Sequence, residues 1–126
     1  MSRILIVDDE PGVADLIDTV LREEGYTVAI ARDGIEGLQL ARGWEPDLIL
    51  MDVMLPGLDG GAAIRRLKGD PATEAIPIIA ISAASNIRRL REDLKLADAA
   101  LSKPFDIDAL LAQVDFHLTR HDAEES

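Results

Sequence analysis

A continuous apolar segment that ends on an acid constrains the fold of this chain more than any other feature. Residues 48–51 have the sequence Leu-Ile-Leu-Met, and Asp52 follows them directly. A strand with one face in water would alternate apolar and polar residues, so this unbroken run predicts a strand buried on both faces. Such strands occur in parallel sheets covered by helices, which place their functional groups where the strands end. Asp52 stands at that point.

Two other strand-like segments lead into charged residues in the same way. Residues 3–7 lead into Asp8 and Asp9, and residues 99–102 lead into Lys103. The carboxyl ends of parallel strands meet at one edge of a sheet, so charged groups that are distant in the chain can lie together there. Three aspartates and one lysine from three strand ends can therefore form a single site.

Strands and amphipathic helices alternate along the chain. The predicted strands cover residues 3–8, 26–31, 47–52, 76–81 and 98–102. The predicted helices cover residues 11–24, 34–43, 59–68, 85–95 and 105–119. This order implies right-handed crossovers and a parallel sheet with helices on both faces. We therefore predict one α/β domain at residues 1–120, followed by a frayed polar tail at residues 121–126.

Local signals set several helix ends. Pro11 suits the first turn of the first helix, and Gly25 ends that helix. Asp33 and Asp59 are placed to cap the second and third helices. The fourth helix is the weakest prediction, because its apolar stripe is thin and its sequence is rich in arginine.

Composition excludes several classes of function. The chain has 126 residues, no cysteine and a formal net charge of −11. It therefore forms no disulfide or thiolate zinc site, and its acidity opposes direct binding to nucleic acid. No apolar stretch approaches the roughly 18–20 residues that span a bilayer. A strand that starts at Arg3 leaves no room for a signal peptide, so we expect a cytoplasmic protein.

Four short motifs together resemble the receiver domain of two-component response regulators. They are Asp8-Asp9 after the first strand, Asp52 with the segment Met-Leu-Pro-Gly-Leu-Asp-Gly at 54–60, Ser82 after Ile-Ile-Ala-Ile, and Lys103-Pro104-Phe105. The match covers essentially the whole chain, in order and close to the expected spacing. The resemblance implies a flavodoxin-like, doubly wound fold with one five-stranded parallel sheet in the strand order 2-1-3-4-5.

The resemblance also implies a role for each residue of the site. A carboxylate that attacks a phosphoryl group brings two anions together, so the site needs cations. Asp52 would accept the phosphoryl group, Lys103 would neutralise one of its oxygens, and Ser82 would donate a hydrogen bond to another. The peptide bond before Pro104 would be cis. The implied ligands of a Mg²⁺ ion are Asp8, Asp9, Asp52 and the backbone carbonyl of Met54.

The implied partners are other proteins. The phosphoryl donor would be a histidine kinase or a phosphotransfer protein, and the output would reach a protein target or an effector domain. A homodimer could form through the face of the fourth and fifth helices. The domain would catalyse only its own phosphorylation and dephosphorylation. A stand-alone receiver, a phosphorelay shuttle and a domain of a larger regulator or hybrid kinase all stay open.

Two features depart from the family pattern. Many receivers carry Tyr or Phe three residues before the lysine, but here that position is Ala100, which has no ring that could rotate. The segment 93–98 also lacks the glycine commonly found there. We therefore hypothesise that the output runs through a shift of residues 82–90, the fourth helix and its preceding loop.

Plainer interpretations remain for individual residues. Asp8 and Asp9 could serve only the dipole of the following helix, and Ser82 could be a turn or cap residue. His117 and His121 have no third ligand nearby in sequence, so we predict that they are solvated.

Two other functional classes remain as alternatives. A protein-interaction module without phosphorylation gains some support from Ala100, but the complete set of acids and Lys103 weigh heavily against it. A hydrolase of phosphate esters is disfavoured, because no second acid lies two residues after Asp52 and the chain has no glycine-rich nucleotide loop.

Overall fold

The structure is a computed structural model that describes residues 2–92 and 94–125, with side chains described as far as residue 119. Strands and helices alternate along the chain. They are β1 (Arg3–Val7), α1 (Pro11–Glu23), β2 (Thr27–Ala31), α2 (Gly34–Gly43), β3 (Leu48–Asp52), α3 (Gly60–Lys68), β4 (Ile78–Ala83), α4 (Ala84–Arg89), β5 (Ala99–Lys103) and α5 (Ile107–Glu125).

The five strands form one parallel sheet in the order β2-β1-β3-β4-β5. Val7 at the end of β1 pairs with Ala31 on β2 and with Met51 on β3. Ala83 at the end of β4 pairs with Lys103 on β5. The predicted fold class and strand order are therefore confirmed, and the carboxyl ends of all five strands lie at one edge of the sheet.

Alternate residues of the central strands pack into opposite layers. Leu5 and Val7 on β1 belong to the apolar cluster that contains residues of α2 and α3. Ile4 and Ile6 belong to the other cluster, which contains residues of α1 and α5. Helices cover both faces of β3 as well, so every residue of 48–52 is buried. This explains the unbroken apolar run in the sequence, because neither face of the strand meets water.

The first three helices agree with the prediction to within one residue at each end. Their predicted caps are confirmed: the side chain of Asp33 accepts a hydrogen bond from the backbone of Glu36, and that of Asp59 accepts one from Ala62, both at 2.8 Å. Gly25 follows the end of α1 with a positive φ of 94°, a conformation that glycine adopts at little cost.

The predicted fourth helix at 85–95 is wrong in length. α4 ends at Arg89, and residues 90–92 and 94–96 form turns before β5 begins at Ala99. No side chain caps the start of α4 at Ala83, and Arg88 and Arg91 would repel each other across a continued helical turn. Asp93 lies outside the described residues.

The last helix also differs from the prediction. Asp106 accepts a hydrogen bond from the backbone N–H of Asp108 at 3.1 Å, so α5 begins at Ile107 rather than at 105. The helix continues to Glu125, so the backbone at 121–125 is helical and not frayed. The domain boundary at residue 120 stays a prediction. Within the described ranges, no helix combines the length and the apolar character needed to cross a bilayer.

Gly60 allows α3 to start directly against the end of β3. Its N–H donates to the carbonyl oxygen of Val53 at 2.9 Å. A Cβ atom at this position would overlap the backbone of Asp52 and Val53. Only glycine therefore fits between the start of α3 and the strand end that carries Asp52.

The substitution Gly60→Ala should lower the free energy of unfolding by about 1–3 kcal/mol, because the added methyl group forces the two backbones apart. Gly43→Ala is the matched control, since a Cβ atom at that position meets nothing within 4 Å. It should be neutral or stabilise the protein by up to about 1 kcal/mol. Urea denaturation measures both, and equal effects would contradict the proposed close approach.

Candidate functional site

The side chain of Lys103, at the end of β5, reaches the acids at two other strand ends. Its Nζ atom lies 3.4 Å from Oδ2 of Asp52 and 3.5 Å from Oδ2 of Asp8. A third carboxylate, that of Glu10, lies 3.4 Å from the same nitrogen. The side chains of Asp8 and Asp52 are each only 3% exposed, so water screens these charges poorly. The fold thus brings Asp8, Asp52 and Lys103 together, as the sequence predicts.

The two buried aspartates are held in the same way. One oxygen of Asp52 accepts a hydrogen bond from the backbone N–H of Met54, and one oxygen of Asp8 accepts one from Glu10, both at 2.9 Å. The other oxygen of each carboxylate faces Lys103. Each loop therefore orients its own aspartate and leaves one oxygen directed into the site.

Burial and the neighbouring charges change the acid–base properties of the site. Burial raises the pKa of Asp52 above its ordinary value and the charge of Asp8 adds to this, while the hydrogen bond from Met54 and the charge of Lys103 oppose it. Burial lowers the pKa of Lys103, but the charges of Asp52, Asp8 and Glu10 together outweigh it and raise the pKa overall. The negative charges at this edge thus exceed what one ammonium group offsets.

The acids can supply oxygen ligands to a metal ion. Asp8, Glu10 and Asp52 each offer a carboxylate oxygen, and these atoms lie within 4.8 Å of one another. A set of hard oxygen donors with excess negative charge suits Mg²⁺. The predicted ligand Asp9 is exposed and is not a member of this group, whereas Glu10 is. Three consecutive acids follow β1, and nothing in their sequence shows which side chains turn inward.

Ser82 lies between Asp52 and Lys103 along the same edge. Its neighbour Ile81 pairs with Asp52 on β3, and its other neighbour Ala83 pairs with Lys103 on β5. The side chain of Ser82 is buried, with 3% of the residue exposed. The sheet therefore places a hydroxyl group beside the aspartate and the lysine, as the sequence predicts.

The structure also describes most of the other features predicted from the sequence. The peptide bond between Lys103 and Pro104 is cis. Met54 follows the site with an exposed side chain, which is compatible with a role for its backbone alone. Ala100 is exposed on β5. His117 packs edge-on against Phe116, with 5.0 Å between ring centroids, and the side chain of His121 lies outside the described residues.

Residues 4–115 match the family model of the response regulator receiver domain, and the chain belongs to this family. Receiver domains act in two-component systems, accept a phosphoryl group on an aspartate of their own, and bind Mg²⁺ at an acidic pocket. The resemblance stated from the sequence motifs is therefore confirmed.

Two curated relatives illustrate the family. The DNA-binding dual master transcriptional regulator RpaA of Synechocystis sp. is 42% identical over 123 residues, which are 97% of this chain and 51% of the relative. The DNA-binding response regulator MtrA of Mycolicibacterium smegmatis is 37% identical over 124 residues, or 98% of this chain and 53% of the relative. The chain thus spans about half the length of these curated relatives.

Solved structures show the same fold. The receiver domain of a signal transduction histidine kinase from Syntrophus aciditrophicus has a TM-score of 0.88 and 35% identity, covering 94% of this chain and 91% of its own. The receiver domain of the sensor histidine kinase PA1611 from Pseudomonas aeruginosa has a TM-score of 0.86 and 33% identity. The match covers 94% of this chain and 98% of the PA1611 chain. The latter was determined with a magnesium ion coordinated in its active-site cleft.

Replacing Lys103 by methionine should destabilise the metal-free protein by about 1–3 kcal/mol at pH 7, because the buried carboxylates lose their counter-charge. Folding raises the pKa of Lys103, so the stabilisation by this residue is fully present below the pKa of lysine in the unfolded chain. The stabilisation should disappear as the pH rises above about 10.4 and through the pKa of Lys103 in the folded protein. Urea denaturation in EDTA, repeated across this pH range, measures it.

Lys95→Met is the matched control for this measurement. Lys95 pairs with Glu92 at 2.8 Å, but both side chains are largely exposed. The change should stay within about 0.5 kcal/mol. If both variants lost the same stability at pH 7, Lys103 would not be the counter-charge of the site.

Proposed function

We propose that Asp52 accepts a phosphoryl group from the phosphohistidine of a partner histidine kinase or phosphotransfer protein, in a Mg²⁺-dependent reaction. The observation that carries this proposal is the ammonium group of Lys103, which lies 3.4 Å from a buried carboxylate at the meeting point of three strand ends. Membership of the receiver family supports it. The phosphorylated domain then signals through altered contacts with other proteins.

The chemistry follows from the surroundings of Asp52. Its Oδ1 atom is tied to the N–H of Met54, which leaves Oδ2 directed into the site. A carboxylate oxygen bonds to phosphorus as the phosphorus–nitrogen bond of phosphohistidine breaks, and the imidazole leaves with the electron pair. Lys103 offsets charge on one phosphoryl oxygen, and Ser82 donates a hydrogen bond to another. Attack of water on phosphorus later releases inorganic phosphate and restores the carboxylate.

The acidic group fits the Mg²⁺ ion that the family uses. We propose that the ligands are Asp8, Asp9, Asp52 and the backbone carbonyl of Met54. The bound ion supplies positive charge to the phosphoryl oxygens. Asp8 and Asp9 would hold the ion beside the acceptor Asp52, and Glu10 contributes negative charge at the same edge. The site is thus balanced for an incoming anion only when the metal is present.

The output of the domain is proposed to pass through proteins rather than nucleic acid. The curated relatives are DNA-binding regulators, whereas the residues of this chain carry a net charge of −11. A charge of that sign opposes contact with a phosphate backbone. The proposed target of the signal is an effector domain or a separate protein. We also propose that the domain can form a homodimer through the face of α4 and α5. We propose that the reaction takes place in the cytoplasm, where the ATP that phosphorylates histidine kinases is found.

The proposed conformational output concerns α4 and residues 82–90. Ala100 is exposed and has no ring that could turn inward on phosphorylation. α4 starts two residues after Ser82, so a movement of that hydroxyl reaches the helix directly. The short length of α4 supports this, because few backbone hydrogen bonds resist its displacement.

Incubation with acetyl phosphate and Mg²⁺ should add the mass of one phosphoryl group to the protein. Intact-mass spectrometry and peptide mapping should locate it on Asp52, because this acid combines burial with the nearby lysine. Asp52→Asn and EDTA should each abolish the gain. Asp15→Asn is the control, since that carboxylate is exposed on α1 and should leave the reaction unchanged.

Other outcomes of the same experiment would favour the alternatives. A folded wild-type protein that gains no mass would be an interaction module without phosphorylation. Steady turnover of a phosphate monoester by a small amount of protein would show a hydrolase. Either result would overturn the proposed function.

The proposed metal ligands lead to a test on two adjacent acids. Asp9→Asn should weaken Mg²⁺ binding by about tenfold or more, because a direct ligand is lost. Glu10→Gln should weaken it by less than about threefold, since Glu10 is outside the proposed ligand set and its carboxylate pairs with Lys103. Isothermal titration with MgCl₂ compares the two, and each variant removes one negative charge. The opposite order of affinities would make Glu10 the ligand and exclude Asp9.

A further inference from the structure

We infer that Asn86 is a positioning residue that sets the direction of the Ser82 hydroxyl group, and that Arg89 in turn holds Asn86. The inference rests on the proposed function, in which Ser82 donates a hydrogen bond to a phosphoryl oxygen. It assigns to two residues of α4 a part in the phosphorylation of Asp52.

Two hydrogen bonds join the three side chains in a line that runs from the site to the protein surface. Nδ2 of Asn86 lies 3.4 Å from Oγ of Ser82, and a guanidinium nitrogen of Arg89 lies 3.2 Å from Oδ1 of Asn86. Asn86 and Arg89 are three residues apart on α4 and therefore lie on the same side of this helix, while Ser82 is the last residue but one of β4. Ser82 is buried, Asn86 is partly buried and Arg89 is exposed.

The chemistry of arginine sets the direction of every hydrogen bond in this line. A guanidinium group has donors and no acceptor, so the carbonyl oxygen of Asn86 must face Arg89. The amide NH₂ of Asn86 then faces Ser82 and donates to it. The Ser82 oxygen is therefore an acceptor in this contact, and its own hydrogen remains for another partner.

That hydrogen is available at the edge where the phosphoryl group would lie. Among the described residues, Ser82 donates no hydrogen bond in this structure. The neighbours of Ser82 pair with Asp52 on one side and with Lys103 on the other. At 3.4 Å its contact with Asn86 is long and therefore weak, so the hydroxyl can shift toward an oxygen of the site. Asn86 thus presents Ser82 as a donor without holding it rigidly.

The same line connects the site with the exposed side of α4. A shift of Ser82 changes its contact with Asn86, and Asn86 is joined to Arg89 at the surface. This route needs no aromatic ring at position 100. It gives the proposed movement of residues 82–90 a specific set of polar contacts.

The substitution Asn86→Asp tests the direction of the hydrogen bond. Aspartate has nearly the same size and can still pair with Arg89, but its carboxylate only accepts, so it captures the hydrogen of Ser82. The rate constant of phosphorylation by acetyl phosphate with Mg²⁺ should fall about tenfold, as it should in Ser82→Ala. Asn86→Ala, which only frees the hydroxyl, should have a smaller effect of about two- to threefold.

The double variant separates positioning from other effects of the new charge. Ser82→Ala combined with Asn86→Asp should be phosphorylated no more slowly than Ser82→Ala alone, because the hydroxyl that the new carboxylate would capture is already absent. Arg88→Met is the control, since Arg88 is an exposed neighbour on the same helix and should leave the rate unchanged. Circular dichroism checks that each variant is folded.

The outcomes distinguish this inference from the proposed function. If the wild type is not phosphorylated on Asp52, or if Ser82→Ala is as fast as the wild type, the proposed chemistry fails and the inference fails with it. If Ser82→Ala is slow but Asn86→Asp matches the wild type, only the inference is overturned. An equal slowing by Asn86→Asp with and without Ser82 would also overturn it, because the effect would then come from charge alone.

Discussion

The ammonium group of Lys103 compensates the acids that the parallel sheet brings together, and the rest of the site depends on this compensation. Asp8 and Asp52 are buried at the ends of β1 and β3, where their charges are poorly screened. Lys103 comes from β5, which is separated from β3 by β4. A single flexible side chain therefore joins two distant strand ends across the edge of the sheet. Its charge offsets only part of the negative charge, which prepares the site for a cation.

Local hydrogen bonds and long-range strand pairing determine different features of this site. Each buried aspartate is oriented by a backbone N–H two residues further on, within its own loop. The distance between the two aspartates, and their approach to Lys103, are set by strand pairing. Gly60 adds to this, because it allows α3 to pack directly on the end of β3. The loops thus define the direction of each carboxylate, while the sheet defines which groups meet.

The fold could be predicted well from the sequence wherever periodicity and burial agree. The unbroken apolar run at 48–51 predicted a strand covered on both faces, and helices do cover both faces. The helix at 85–95 was the main error, because its apolar residues suggested a helix that the arginines and the missing cap shorten to Arg89. The sequence also could not distinguish Asp9 from Glu10. Both follow β1 directly, and only Glu10 joins the group with Asp8 and Asp52.

The sequence by itself determined the class of fold, the strand ends that carry charge and the set of residues typical of a receiver domain. These properties are encoded locally, in apolar runs and in the residues that follow them. Only the tertiary structure decided which neighbouring acid turns toward the site, where α4 stops, and that Asn86 and Arg89 line up behind Ser82. Those features depend on the direction of individual side chains, which is set by loop backbones and by charges contributed from strands far away in the chain.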